Sequence, residues 1–201
     1  MPTIAEYLKF ANLQMAAEAF LVDQSGNLLT DPAALKKALT DGNDHASKFT
    51  ETEATKFTAE WQVVAQKPNT PTGFSGTLFR NNTTNEYVIS FRSTEFVDDA
   101  IRDSAATGAL EIFNTGWAFG QLSDMEAWYQ SIKSQIDGPL NVTGYSLGGH
   151  LATAFNLLRR EDAAAGRPTV IPGQVVTFNG AGVGKIEDGG TLNDTLNYFN
   201  I

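Results

Sequence analysis

A mixed α/β fold, with a mostly parallel central sheet flanked by helices, is predicted for this chain by three observations. Apolar residues recur at helical spacing near the start, a polar turn joins two β-rich runs in the middle, and short apolar runs alternate with long helical patterns toward the end. That last alternation implies parallel pairing, because a parallel neighbour needs a crossover long enough to hold a helix. A chain of 201 residues, 42% of them hydrophobic, can bury one sizeable core and has no need of two. We therefore expect a single domain over 1–201, with helices in 1–60, the sheet core in 61–201, and an incomplete C-terminal end.

The elements follow in order. Ile4, Tyr7, Leu8, Ala11, Met15, Ala19 and Val22 keep a helical period and predict an opening helix whose core face they form. A second helix is expected over 31–40, because Asp31 and Pro32 occupy cap and first-turn places and Gly42 closes it. A third covers 50–60, before 61–65 turns β-rich. Residues 76–79 and 87–91 read as a hairpin joined by Asn81, Asn82, Thr83, Thr84 and Asn85. Leu122, Met125, Trp128, Tyr129, Ile132 and Ile136 restore the helical period until Gly138 and Pro139 end it. Beyond them 140–143 is predicted as a buried strand, 147–160 as a helix, and 174–178 and 196–201 as further strands.

The chemistry concentrates at Gly144-Tyr145-Ser146-Leu147-Gly148, a G-x-S-x-G pattern at a predicted strand-to-helix junction. A serine there sits on a strained turn with its hydroxyl above the sheet, and only glycines let the flanking backbones pass so closely. The helix that follows aims free N–H groups and its positive end at a developing oxyanion. Ser146 is thus the candidate nucleophile.

With Gly149, His150, Leu151 and Ala152 added, this segment resembles the nucleophile elbow of class 3 type lipases, and is closest in pattern to large bacterial secreted lipases and phospholipases with downstream calcium-binding repeats. Phe91-Arg92-Ser93-Thr94-Glu95 is similar to that family's F-R-G-T strand end, and 175–182 to its T-F-x-x-P-x-x-G strand and loop. The likeness runs from about Gly73 onward. It implies an α/β-hydrolase-like fold and an oxyanion hole formed by the backbone N–H of Leu147 and that of Thr94, assisted by the Thr94 hydroxyl. It also implies that Asp103 pairs with Arg92 to hold the oxyanion loop; a solvated surface carboxylate is the alternative. Ser93 replaces the family's usual glycine, Gly180 and Ala181 stand where a proline is common, and Ala100 stands where tryptophan is frequent. Asn114-Thr115-Gly116-Trp117 lacks the histidine of the fungal H-x-G-F pattern, which weakens assignment to the fungal triacylglycerol lipases.

A serine hydroxyl needs a histidine to take its proton and a carboxylate to orient that histidine, and in this fold they follow in the order Ser, acid, His. After Ser146 the only histidine is His150, four residues into the helix that starts at the elbow, whose side chain points along that helix rather than over the serine. His45 precedes the nucleophile and reads as a surface residue. Glu161, Asp162, Glu187, Asp188 and Asp194 are the carboxylates after the serine. Asp188, on a glycine-bounded turn, is the best placed of them, while Asp194 would open a strand at 196–201 and so face the opposite rim. The resemblance implies that both acid and base follow Ile201.

A net charge of −9 repels polyanions at long range, so no nucleic-acid partner is expected. The absence of Cys excludes a disulfide frame, a thiolate nucleophile and a Cys-ligated zinc, and two His leave little for a His-rich metal site. No cofactor is expected, and calcium only through regions outside this chain. The N-terminus carries no basic segment before an apolar run, so secretion without an N-terminal signal peptide is the first expectation and a cytoplasmic site the second. The expected partners are an acyl-ester lipid, a lipid interface in transient contact, and a C-terminal remainder or second fragment. The leading function is a serine-dependent carboxylic ester hydrolase acting on acyl lipids. A small-ester or thioester hydrolase and a noncatalytic lipid- or partner-binding module are the alternatives. Residues 95–101 alternate acids with apolar residues, as either a lid over an acyl groove or an ordinary surface helix would.

Overall fold

The computed structural model describes residues 3–43, 48–93, 112–186 and 190–198. Its elements run α1 (Ile4–Ala17), α2 (Pro32–Asp41), α3 (Glu51–Glu60), β1 (Trp61–Lys67), β2 (Gly76–Asn81), β3 (Tyr87–Phe91), α4 (Phe119–Ile132), β4 (Leu140–Tyr145), α5 (Leu147–Ala164), β5 (Val175–Phe178) and α6 (Leu192–Tyr198). The first three helices start where capping chemistry places them. Thr3 and Thr50 each form a reciprocal capping box with the glutamate three residues on, and Asp31 accepts the Ala34 N–H ahead of Pro32.

The five strands lie in sequence order across one sheet. β1/β2 and β2/β3 are antiparallel, whereas β3/β4 and β4/β5 are parallel, so the sheet is mixed and its parallel half carries the predicted elbow. Alternate strand residues feed two cores, as a period of two requires. Leu78, Ile89, Phe91 and Val142 face one cluster with Leu122, Met125, Trp128, Leu151, Phe155, Leu192 and Leu196. Phe79, Val88 and Val176 face the other, with Phe10, Leu13, Leu35, Leu39, Phe57 and Trp61. Helices α1–α3 therefore cover one face of the sheet and α4–α6 the other, in three layers. Each fully buried Leu, Ile or Phe contributes roughly 1.5–3 kcal/mol.

Two sequence expectations are corrected. The opening helix does not bury the face read from its periodicity: Ile4 is 88% and Leu8 60% exposed, and Phe10, Leu13, Gln14, Ala16 and Ala17 are the buried residues. The inward stripe contains a glutamine, which a hydrophobic period passes over. Gln14 is inside because its Oε1 accepts the fully buried Ser90 hydroxyl at 2.9 Å. The expected strand at 196–201 is replaced, over its described part, by α6. Thr191 and Asp194 cap that helix, since Asp194 Oδ2 accepts the Thr191 hydroxyl at 2.7 Å and Thr191 Oγ1 accepts the Asp194 N–H at 3.0 Å. Glu161 accepts the free N–H groups of Leu192 at 2.7 Å and Asn193 at 2.9 Å, and Leu192 and Leu196, four apart, enter the core together. Asp194 therefore caps a helix and does not open a strand on the opposite rim.

Candidate active site

Ser146 stands alone between β4 and α5, with φ 53° and ψ −117°. A non-glycine residue there costs about 1–3 kcal/mol and persists only where its surroundings hold it. They hold it on both sides. The Ser146 N–H donates to Phe178 O at 3.0 Å, and its carbonyl accepts from Gly149 at 3.0 Å, Ala181 at 3.0 Å and His150 at 3.3 Å. Glycines make the turn possible: a Cβ on Gly144 would lie 2.0 Å from Gly148 O, and one on Gly148 would lie 2.1 Å from Phe91 O. The end of β3 thus touches the first turn of α5.

The Ser146 side chain is half-buried, and among the described residues its hydroxyl makes no hydrogen bond. The Leu147 N–H, first in the helix, donates to no acceptor among them either. Such an arrangement presents a hydroxyl and an adjacent free donor at the positive end of a helix of 18 residues. A tetrahedral oxyanion formed on the hydroxyl would meet that donor.

His150 is fully buried and faces away from this task. Its Nδ1 lies 2.9 Å from the Gly182 carbonyl, its Nε2 accepts the Ala118 N–H at 3.3 Å, and its ring stands edge-on to Trp117. Both nitrogens are used, which fixes the neutral tautomer with the proton on Nδ1. Burial pushes the imidazole below its ordinary pKa, with the Gly182 carbonyl opposing part of that shift. His150 joins the elbow helix to the loops at 116–118 and 180–184, which also meet where the Gly184 N–H donates to Gly116 O at 2.7 Å.

The carboxylates after the serine are engaged structurally where they are described. Glu161 and Asp194 cap α6, and Asp162 pairs with Arg159 at 3.0 Å and Arg167 at 2.7 Å. Thr94, the segment 95–101 with Ala100, Asp103, His45, Glu187 and Asp188 lie outside the described residues. Arg92, expected to meet Asp103, is buried, with Nη2 donating to Asn69 Oδ1 at 2.7 Å and Nε 3.9 Å from Glu18 Oε2. Sequence reasoning missed Glu18. Its contacts with Arg92 and Ser93 are long-range, and no local pattern in the sequence marks it.

Among the described residues no group of three or more His, Asp or Glu is placed to hold a metal ion, and no helix is long and apolar enough to cross a membrane.

No protein-family model and no curated protein matches the chain. Among solved structures, the Lip2 lipase from Yarrowia lipolytica is similar at 17% identity and a TM-score of 0.47, over 89% of this chain and 59% of that one. A lipase from Rhizopus microsporus var. chinensis is similar at 16% identity and a TM-score of 0.44, over 88% of this chain and 57% of that one. The chain thus spans about three fifths of the length of these structures. The likeness to bacterial members with calcium-binding repeats rests on the motif residues alone.

Proposed function

We propose that this chain carries the nucleophile of a serine-dependent carboxylic ester hydrolase acting on acyl lipids. The observation that supports this most is the strained Ser146 backbone at a glycine-lined strand-to-helix turn, where neither its hydroxyl nor the adjacent Leu147 N–H has a hydrogen-bond partner among the described residues. In this reading Ser146 Oγ attacks the ester carbonyl carbon and gives its proton to a histidine. The carbonyl oxygen becomes an oxyanion held by the N–H groups of Leu147 and Thr94. Collapse expels the alcohol, which takes the proton, and water then cleaves the acyl-enzyme. His150 is not the base, since both its nitrogens are committed elsewhere. The reading assigns acid and base to residues following Ile201, in the same polypeptide or in a docked fragment.

A second reading, a noncatalytic module that binds a lipid or partner through the same surface, is favoured by one observation: among the described residues no histidine reaches Ser146 Oγ. A panel of esters of increasing acyl length, assayed with the full-length protein and its Ser146→Ala variant, decides between the readings. The hydrolase reading expects turnover that falls by about 10⁴–10⁶ in the variant. Equal turnover by both removes Ser146 as nucleophile, and inertness toward every ester favours the binding module.

A further inference from the structure

The last turn of α1 ends beside the carboxyl end of β3, where a buried polar chain connects them. The Ser90 hydroxyl donates to Gln14 Oε1 at 2.9 Å, and Gln14 Nε2 donates to Glu18 Oε1 at 2.7 Å. The same Glu18 oxygen accepts the backbone N–H of Ser93 at 3.3 Å. Its other oxygen faces Arg92 Nε at 3.9 Å, a charge attraction too long for a hydrogen bond. Two residues beyond Glu18, the Phe20 ring receives the Arg92 guanidinium at 5.5 Å from its centroid. On the other side Asn69 takes Arg92 Nη2, and Ser75 O accepts the Arg92 N–H at 3.1 Å.

These contacts converge on two residues that carry the chain out of the sheet beside the elbow. The carbonyls of Phe91 and Arg92 lie 2.1 Å and 3.0 Å from where a Cβ on Gly148 would stand, so this backbone leans directly on the first turn of α5. Ser93 is also the residue before Thr94, the second oxyanion donor of the proposed reaction. In the proposed reaction, drift of the strand end would shift the Thr94 donor relative to Ser146, whereas the Leu147 N–H is fixed by its peptide bond to Ser146.

We infer that Glu18 is a positioning residue of this site: its carboxylate, by accepting the Ser93 N–H and facing Arg92, fixes the strand end that presents the oxyanion donor. The inference rests on the hydrolase reading above. An acceptor on the Ser93 N–H contributes to catalysis only through geometry, so its loss weakens a contact made in the transition state and leaves ground-state binding alone.

The test compares Glu18→Ala and Glu18→Gln with wild type in the full-length protein, using a short-chain ester and amide hydrogen exchange at Ser93. Glu18→Ala is expected to lower kcat by about tenfold to a hundredfold, as for slight misplacement of reacting groups, with KM within about twofold. Glu18→Gln keeps a carbonyl oxygen for the Ser93 N–H and is expected to recover most of that loss. Exchange at Ser93 is expected to quicken in the alanine variant and much less in the glutamine variant. Faster exchange with unchanged kcat, or a loss confined to KM, overturns the catalytic part of the inference, and unchanged exchange overturns the contact itself. A wild-type protein with no turnover sinks the hydrolase reading and the inference with it, while the exchange data still report whether Glu18 holds Ser93.

Discussion

His150 Nδ1 lies 2.9 Å from the carbonyl oxygen of Gly182, so the one histidine that follows the candidate nucleophile at a described position is a strut between the elbow helix and a loop. Removing it should loosen structure. His150→Ala, which leaves the Ala118 N–H and Gly182 carbonyl unpaired and opens a cavity, is expected to lower stability by about 2–4 kcal/mol. Denaturant melts would check this, and a variant as stable as wild type would contradict the strut.

The same site sets a pH dependence. Burial depresses the folded pKa of His150 below its ordinary value of 6.5, so the unfolded chain takes up a proton at higher pH than the folded one. Stability from this group is therefore full above pH 6.5 and is lost as pH falls from there toward the depressed folded pKa. Melting temperatures from pH 7.5 to 5.5 should fall in wild type, and less steeply in His150→Gln. Equal slopes would show that His150 is not the titrating group.

Ser146 stores backbone strain that glycine would not feel. Ser146→Gly is therefore expected to be more stable than Ser146→Ala by about 1 kcal/mol, the two lacking the hydroxyl alike. Thermal melts of the pair read the difference, and a less stable glycine variant would argue against strain at the elbow.

The start of α6 depends on Glu161, which takes two backbone N–H groups and the Asn193 side chain. Glu161→Ala should cost about 1.5–3 kcal/mol and expose the amides of 192–198 to exchange. Protection there equal to wild type would mean the helix is held by packing alone.

The contrast between α5 and α6 shows what the sequence made legible. The elbow was readable because Gly144, Ser146 and Gly148 are required together by a local backbone geometry, and the helix after them has a long period to recognise. The start of α6 is fixed by Glu161, 31 residues away in sequence from Leu192, and the short apolar run over 196–201 does not by itself distinguish helix from strand. The buried face of α1 is hidden from a hydrophobic period for a related reason, since Gln14 is buried by its partner Ser90 on β3. Glu18 was invisible because its importance lies in contacts with Arg92 and Ser93, and nothing local marks it.

As the proposed nucleophile, Ser146 is tested by covalent capture with a fluorophosphonate followed by mapping of the adduct. Incubated with the full-length protein, the probe is expected to add once, on Ser146, with labelling abolished in Ser146→Ala and retained in His150→Gln wherever that variant folds. An unlabelled Ser146 in the folded full-length protein, or an adduct on another residue that persists in Ser146→Ala, would contradict the account.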